Sequence, residues 1–221
     1  MINFKTENLL INKEVNENLE NILKRKAFSN GYIFYGPEGI GKKQTAFKFI
    51  KEILNQYSSN SNIEEKIIEN NHPDFLLIEP THVFKGNIIN RSEGEPSKSR
   101  KGTIRIEQIR NIKTFLGQKS IESGGKIVLI DDAHLLNESA SNCLLKTLEE
   151  PANGIFILLT SSLSLLLDTI ISRCQLIRFK SFSNKQLEIF LRDNLDHSIL
   201  NYKELNIQNF INAANGSPGK Y

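Results

Sequence analysis

The chain has 221 residues, of which 39% are apolar and 24% are charged, and its formal net charge is +3. These values predict a folded globular protein with one large domain, or one large and one small domain, and the small net charge excludes a uniformly basic nucleic-acid binder. The longest apolar runs, such as residues 155–159, are far shorter than the ~20 residues of a membrane-spanning helix.

The N-terminus and the cysteines indicate the compartment. Residues 1–5 lack the charged start and apolar stretch of a secretory signal peptide. The two cysteines, Cys143 and Cys174, are too few for a disulfide framework or a cysteine-rich zinc site. Neither His72 nor His134 has a partner at ligand spacing, so no metal site is predicted. The cytoplasm is therefore the expected location.

Apolar periodicity predicts strands and helices that alternate through most of the chain, followed by helices alone. Strands are predicted over residues 32–35, 75–78, 127–130, 155–160 and 175–179. Helices are predicted over residues 12–26, 42–54, 63–69, 107–117, 138–149, 163–171, 184–194 and 206–215. The alternation favours an α/β fold with a mostly parallel sheet and helices on both faces. We expect this domain to cover residues 1–180 and a small all-helical domain to cover residues 181–221. Asn12 and Asn137 are the expected N-caps of two helices.

The first predicted strand runs into a glycine-rich turn that is typical of a phosphate-binding loop. Gly36, Gly41 and Lys42 form the pattern G-x-x-x-x-G-K between a strand and a helix. The glycines let several backbone N–H groups point at one anion, the helix N-terminus adds partial positive charge, and Lys42 would reach the outer phosphates. The predicted nucleotide-binding residues are Gly36, Pro37, Glu38, Gly39, Ile40, Gly41, Lys42, Lys43 and Thr160. Thr160, Ser161 and Ser162 close a strand, where one of their hydroxyls would sense the γ-phosphate; the alternative is an ordinary turn.

One residue of this loop departs from the pattern. The Ser or Thr that binds Mg²⁺ in such loops is replaced by Lys43, and an ammonium donates hydrogen bonds but cannot coordinate a cation. Thr45 cannot substitute, because two residues correspond to about 200° around a helix. We therefore expect the loop to retain phosphate affinity while it hydrolyses ATP weakly or not at all.

A second strand ends in two acidic residues, Asp131 and Asp132. We expect this strand to lie beside the strand of the phosphate loop, so that Asp131 holds Mg²⁺ through water and Asp132 polarises the attacking water. ATPases of this type usually carry Glu at the second position, and the shorter Asp would slow the reaction. The alternative is that the two residues form a helix N-capping pair.

Two further features have open interpretations. Residues 81–103 contain an excess of basic residues that equals the whole net charge, and they form either a DNA-facing loop or a solvated surface insertion. The charged residues are Lys85, Arg91, Lys98, Arg100 and Lys101, with Glu93 and Glu95. Arg173 is either a finger that neutralises charge on a neighbouring subunit's nucleotide or a salt-bridged surface residue.

The order of these motifs resembles the clamp-loader subunits of bacterial DNA polymerase III, which belong to the AAA+ class of P-loop NTPases. The segments that carry the resemblance are residues 36–42, 72–74, 106–110, 126–134, 142–151, 171–174 and 216–219. They span nearly the whole chain, and Leu-Leu-Lys-x-Leu-Glu-Glu-Pro and Ser-Arg-Cys are highly specific to clamp loaders.

The resemblance implies an AAA+ domain followed by a helical lid, within a five-subunit assembly that opens the sliding clamp and loads it at primed DNA. The implied partners are the gamma/tau ATPase and delta subunits, with the clamp and the primer–template reached indirectly and no membrane involved. Arg173 would be the finger offered to the ATP of an adjacent motor subunit. The assembly belongs to a DNA-directed DNA polymerase, a nucleotidyltransferase, but this chain would carry no polymerase chemistry. It would bind ATP or ADP weakly, Mg²⁺ only with the nucleotide, and no zinc.

The chain departs from the family's motor subunits at four points. The first three favour a stator subunit, and the fourth has no interpretation. Lys43 replaces the metal-binding hydroxyl, the four zinc-binding cysteines are missing, and Pro218 and Gly219 stand where a sensing arginine would follow. Asp168 replaces a usual proline without an evident reason. The C-terminal collar domain is expected to be absent from this chain. The alternative is an active ATPase motor subunit of the gamma/tau type; a small-molecule kinase fits poorly, because substrate-binding arginines are not evident.

Overall fold

The computed structural model describes residues 12–57, 62–84, 87–90, 102–122, 124–150, 154–194, 214 and 216–220. Its strands are β1 Gly31–Tyr35, β2 Phe75–Ile78, β3 Thr81–Phe84, β4 Asn87–Asn90, β5 Lys126–Ile130, β6 Gly154–Thr160 and β7 Gln175–Arg178. Its α-helices are α1 Lys13–Arg25, α2 Lys42–Asn55, α3 Ile63–Ile68, α4 Ile106–Gly117, α5 Glu138–Glu149, α6 Asp168–Ile171 and α7 Asn184–Asn194. Short 3₁₀ turns cover Ala133–Leu135, Leu163–Leu165 and Pro218–Lys220.

The predicted α/β architecture is confirmed. Five strands form a parallel sheet in the order β2-β5-β6-β1-β7, and most predicted elements agree with the observed bounds within one residue. Continuous apolar runs identified the inner strands correctly because a strand covered on both faces buries its side chains, as along the whole of β5, whereas the edge strand β7 is mostly exposed. The predicted helix 163–171 is instead a 3₁₀ turn followed by α6.

The expectation that the acidic strand lies beside the phosphate-loop strand is wrong. β5 pairs with β2 and β6, and β6 lies between β5 and β1. A strand in the middle of a sheet must be apolar on both faces, and four consecutive residues of β6, Phe156–Leu159, are fully buried. Chain order does not reveal this insertion, because β6 follows β5 through a helical crossover of the ordinary kind.

Two apolar cores cover the two faces of the sheet, as predicted. Successive side chains of a strand point to opposite faces, so Phe34 of β1 joins one core while Ile33 joins the other. The first core packs against α1, α2 and α3, and it includes Leu187 and Ala214 from beyond the predicted domain boundary. The second core packs against α4, α5 and α6. The boundary near residue 180 stays a prediction, as do the two domains.

The region predicted as a surface excursion begins with a hairpin. β3 and β4 pair antiparallel, and the exposed Val83 and Ile88 lie directly opposite each other. Its five basic residues and two acidic residues lie outside the described residues, so both interpretations of the loop stay open. The predicted helix 206–215 also lies outside them, except for Ala214, which is buried and helical.

The two predicted helix caps differ. The side chain of Asn137 accepts a hydrogen bond from the Ala140 N–H at 2.8 Å, which confirms it as the N-cap of α5. Asn12 occupies the N-cap position of α1, as predicted, but its side chain makes no capping hydrogen bond. Its backbone angles, φ −118° and ψ 74°, differ from the extended geometry of Asn137 and do not direct its side chain at the first turn.

Candidate functional site

A cavity of about 440 Å³ opens at the carboxyl ends of β2 and β5, beside the N-terminus of α2. Ligands of open α/β sheets bind at this edge, because the loops that follow the strands converge there. The cavity contains the charged residues of the predicted phosphate loop and of the acidic strand end, which are Glu38, Lys42, Lys43, Asp131 and Asp132. The residues that line it are Glu38, Gly39, Gly41, Lys42, Lys43, Gln44, Glu79, Pro80, Asp131, Asp132, Leu159 and Gly219.

The phosphate loop adopts a positive-φ conformation at its three glycines, Gly36, Gly39 and Gly41. Gly36 has φ +152°, and a Cβ placed there would lie 2.2 Å from the carbonyl oxygen of Phe179. Gly41 is left-handed at φ 94° and is the N-cap of α2. The loop therefore wraps tightly against the end of β7 and turns directly into the helix.

The ammonium of Lys42 is folded back on the loop. It donates to the carbonyl oxygens of Gly36 at 2.8 Å and Pro37 at 2.7 Å. Burial lowers the pKa of Lys42 below its ordinary value, more than the nearby carboxylates of Asp132 and Asp131 raise it. Lys42 is therefore held within the loop that would receive a phosphate.

Lys43 contacts the acidic side of the cavity. Its Nζ lies 2.7 Å from Oε1 of Glu79 and 2.9 Å from Oδ2 of Asp131. Burial acts to lower the pKa of Lys43, but the charge of Asp131 and hydrogen bonds to both carboxylates outweigh burial, and the pKa is raised overall. The residue that the sequence marked as a defect in the loop is therefore a firmly protonated bridge between the loop helix and two strand ends.

Asp131 and Asp132 both line the cavity, as predicted, despite the intervening β6. Asp131 Oδ1 accepts the backbone N–H of Asp132 at 3.0 Å, and Asp132 is left-handed at φ 48°. Asp132 precedes the 3₁₀ turn but makes no side-chain capping hydrogen bond, and Asn137 caps α5. This geometry favours the site interpretation over the alternative of an N-capping pair.

Five cavity residues lie outside the predicted site set: Gln44, Glu79, Pro80, Leu159 and Gly219. Glu79 directly follows the buried strand β2, as Asp131 follows β5, so the same rule of an acid at a strand end identifies both. Gly219 N–H donates to Gly39 O at 2.8 Å, which seats the C-terminal 3₁₀ turn on the phosphate loop. No local signal places Gly219 there, because the contact joins positions 180 residues apart in the numbering.

Four residues of the predicted nucleotide set do not line the cavity: Gly36, Pro37, Ile40 and Thr160. Gly36 and Pro37 accept the Lys42 ammonium, and Ile40 is buried in the first core. The Thr160 hydroxyl donates to Ser162 O at 2.9 Å within a local turn. This hydrogen bond matches the turn that was the alternative for Thr160, and its sensing role stays a prediction.

Arg173 lies apart from the cavity, just before β7. Its guanidinium donates to Glu149 Oε1 at 2.6 Å and to Thr169 O at 2.8 Å, and its side chain is 38% exposed. The ion pair orients the guanidinium at the molecular surface. The geometry is compatible with both interpretations, because a surface salt bridge also presents a fixed guanidinium to a neighbour.

Mg²⁺ does not fit the cavity as it is built. The ion needs octahedral oxygen ligands at about 2.0–2.1 Å. Lys43 offers donors alone, and its ammonium already contacts the Asp131 carboxylate that would face the metal. The Thr45 hydroxyl donates to Gly41 O at 2.9 Å within α2 and does not line the cavity. The residues therefore supply a cation to the carboxylates but no hydroxyl ligand to a metal.

Among the helices described here, none combines the length and apolar character needed to cross a membrane.

Comparison with known proteins identifies relatives of this chain. The sequence profile of a family described as "DNA polymerase III, delta subunit" matches residues 11–183. The chain is 32% identical over 157 residues to the DNA polymerase III subunit delta' of Pseudomonas aeruginosa, covering 68% of this chain and 43% of that protein. It is 30% identical over 211 residues to the DNA polymerase III subunit tau of Bacillus subtilis, covering 95% of this chain and 35% of that protein. The chain thus spans less than half the length of these relatives.

A solved structure has the same fold. The crystal structure of a DNA polymerase III, gamma subunit-related protein from Thermotoga maritima matches with a TM-score of 0.55 at 22% identity, over 86% of this chain and 53% of that one. At this identity the match supports a shared fold alone.

Proposed function

The chain belongs to the family described as DNA polymerase III, delta subunit, and from that premise we propose that it acts as the stator, the delta-prime-type subunit, of a clamp loader. In this role it helps the gamma/tau ATPase and delta subunits place the sliding clamp on primed DNA during replication. It contacts clamp and primer–template through these subunits. Its own pocket binds ATP or ADP weakly and hydrolyses ATP little or not at all.

The contact that carries this proposal is that of Lys43 with Glu79 and Asp131, at 2.7 and 2.9 Å. Hydrolysis in phosphate-loop ATPases uses a metal held by a loop hydroxyl and a strand-end carboxylate. Here the hydroxyl is replaced and the carboxylate is paired with an ammonium. The scaffold for a phosphate remains in the glycines and Lys42, while the groups that would drive the reaction are engaged with each other.

Arg173 supplies the chemistry that we assign to this subunit. An arginine finger from a neighbouring subunit stabilises the charge of phosphoryl transfer, and such fingers raise rates by about 10³–10⁵-fold. The ion pair with Glu149 and the bond to Thr169 O hold the guanidinium at the surface. It would therefore meet the motor subunit's nucleotide with little loss of side-chain entropy.

The test uses the reconstituted clamp loader. Arg173→Ala is compared with Arg178→Ala, a matched control at an exposed arginine of β7. We expect Arg173→Ala to lower DNA-stimulated ATP hydrolysis by the motor subunits and clamp loading, and Arg178→Ala to leave both unchanged. Full activity of an assembled complex that carries Arg173→Ala would contradict the finger role.

An active motor of the gamma/tau type remains the second candidate. It is favoured by the match to the tau subunit over 95% of this chain and by the presence of Lys42 and Asp131 in one cavity. ATP hydrolysis by the isolated chain at the rate of an ordinary ATPase, abolished by Lys42→Ala, would establish the motor and exclude the stator.

A further inference from the structure

Two neighbouring lysines contact different groups of acceptors, one in the phosphate loop and one at the strand ends. Lys42 Nζ donates to the loop carbonyls of Gly36 and Pro37, and Lys43 Nζ contacts the carboxylates of Glu79 and Asp131. One ammonium thus stabilises the loop that would receive a phosphate. The Lys43 ammonium occupies the acidic side of the cavity, where a metal-dependent site would bind its cation.

The position of Lys43 follows from the sheet. β2 and β5 are adjacent and parallel, with Ile78 beside Ile130, so the next residues, Glu79 and Asp131, emerge together at the carboxyl edge. The backbone N–H of Asp131 also donates to Ile78 O at 2.9 Å, which fixes the register up to this edge. The first turn of α2 places the Lys43 ammonium between the two carboxylates. The bridge is therefore built by three elements whose relative positions the core sets.

The Lys43 ammonium balances part of the negative charge around the cavity. The lining contains two lysines, Lys42 and Lys43, and four carboxylate side chains. The carboxylates are those of Glu38, Glu79, Asp131 and Asp132. Without the Lys43 ammonium, this concentration of carboxylates would attract a divalent cation, because hard cations prefer carboxylate oxygens. With it, a metal would have to displace a partly buried ion pair and would be repelled by the ammonium.

We propose that Lys43 is the resident cation of this pocket and takes the place of a divalent metal on Glu79 and Asp131. The wild-type pocket therefore excludes Mg²⁺ and accepts a nucleoside polyphosphate only in its metal-free form. The ammonium then has the structural role of a bound metal, since it joins α2 to the ends of β2 and β5. The shape of this edge of the sheet is thereby independent of metal and nucleotide. This inference rests on the proposed function, because it concerns the same weakly binding pocket.

The test is a binding titration on the full chain. Fluorescent methylanthraniloyl-ATP is titrated in excess Mg²⁺ and, separately, in EDTA, against wild type, Lys43→Ser and Lys43→Met. Lys43→Ser restores the hydroxyl ligand and frees the carboxylates, whereas Lys43→Met removes the charge without adding a ligand. Lys43→Thr supplies the same hydroxyl if Lys43→Ser does not fold, and circular dichroism verifies folding.

We expect wild type to bind the nucleotide in EDTA and Mg²⁺ to leave that binding unchanged or weaker; no measurable wild-type binding in EDTA would contradict the acceptance of metal-free nucleotide. In Lys43→Ser, Mg²⁺ should tighten binding by about 5- to 150-fold, the usual range of coupling between two ligands. Lys43→Met should show a clearly smaller effect. Wild-type binding that Mg²⁺ tightens several-fold, or folded Ser and Thr variants that gain no metal dependence, would overturn the proposal. The finger experiment on Arg173 is independent of this result, so the two failures are distinguishable.

Discussion

Lys43 Nζ lies 2.9 Å from Oδ2 of Asp131, across the end of the parallel sheet. From the sequence alone, these residues favour opposite functional interpretations. Asp131 is typical of the strand end of an active ATPase, whereas Lys43 is typical of a degenerate phosphate loop. In the structure they are partners in one ion pair that Glu79 completes. The substitution in the loop is therefore compensated within the pocket and is part of a stable arrangement.

Replacing Gly36 by Ala should destabilise the fold strongly. A Cβ there would lie 2.2 Å from Phe179 O at φ +152°, so the loop or the end of β7 must shift. We expect a loss of about 1–3 kcal/mol or more in the free energy of unfolding, measured by urea titration.

Gly117→Ala is the matched control, since nothing lies within 4 Å of its Cβ position at the end of α4. We expect it to be neutral or stabilising by up to about 1 kcal/mol. Equal stability of the two variants would show that the phosphate loop does not need glycine at position 36.

The ion pair of Arg173 should matter for orientation more than for stability. Glu149→Gln removes the charge that holds the guanidinium, yet a partly exposed pair contributes less than about 1 kcal/mol to stability. If Arg173 is a finger, this variant should lower motor ATPase activity in the assembled complex. Glu150→Gln, which breaks the neighbouring exposed pair with Lys113, should change neither quantity. Identical ATPase rates for both variants would mean that Glu149 does not position the finger.

Asp74 is a buried carboxylate that organises a loop, and its loss should be costly. It accepts the backbone N–H groups of Ile121 at 2.9 Å and Glu122 at 2.7 Å, and the Ser120 hydroxyl at 3.1 Å. Asp74→Asn turns an acceptor into a group that also donates, and each buried donor left unsatisfied costs about 1–3 kcal/mol. Thermal unfolding should show a clear decrease in Tm. The control is Asp168→Asn, at an exposed residue, which should leave Tm unchanged. Comparable decreases in Tm for the two variants would refute the structural role of Asp74.

His72 should make the fold sensitive to mild acid. Burial lowers its pKa below 6.5, although the charges of Glu122 and Asp74 act to raise it, and Lys66 lowers it further. The unfolded chain then binds the proton more tightly, so stability is greatest above pH 6.5 and is lost as the pH falls through 6.5 towards the folded-state pKa.

The measurement is the free energy of unfolding between about pH 7.5 and 5, with 6.5 as the ordinary pKa of His. His72→Asn cannot titrate but can still accept the Asp74 N–H that Nδ1 accepts at 3.1 Å. Its pH profile should be flatter than that of the wild type. Parallel profiles would assign the acid sensitivity to other groups.

Local patterns predicted the elements well because each depends on nearby residues. The apolar run of β5 and the glycines before Lys42 determine a buried strand and a tight loop wherever they occur in a fold. The order of strands in the sheet is different, since it depends on which surfaces bury best. The expectation that β5 lies beside β1 therefore failed, and β6 separates them.

The sequence by itself determined the fold class, the phosphate loop and the acidic strand end, and it established that Lys43 cannot be a metal ligand. The tertiary structure decided what Lys43 does instead. Its contacts are Glu79 and Asp131, 36 and 88 positions further along the chain, which only the pairing of β2 with β5 brings together. The physical reason is that an ammonium needs particular oxygens within about 3 Å, and such proximity is a property of packing rather than of local sequence.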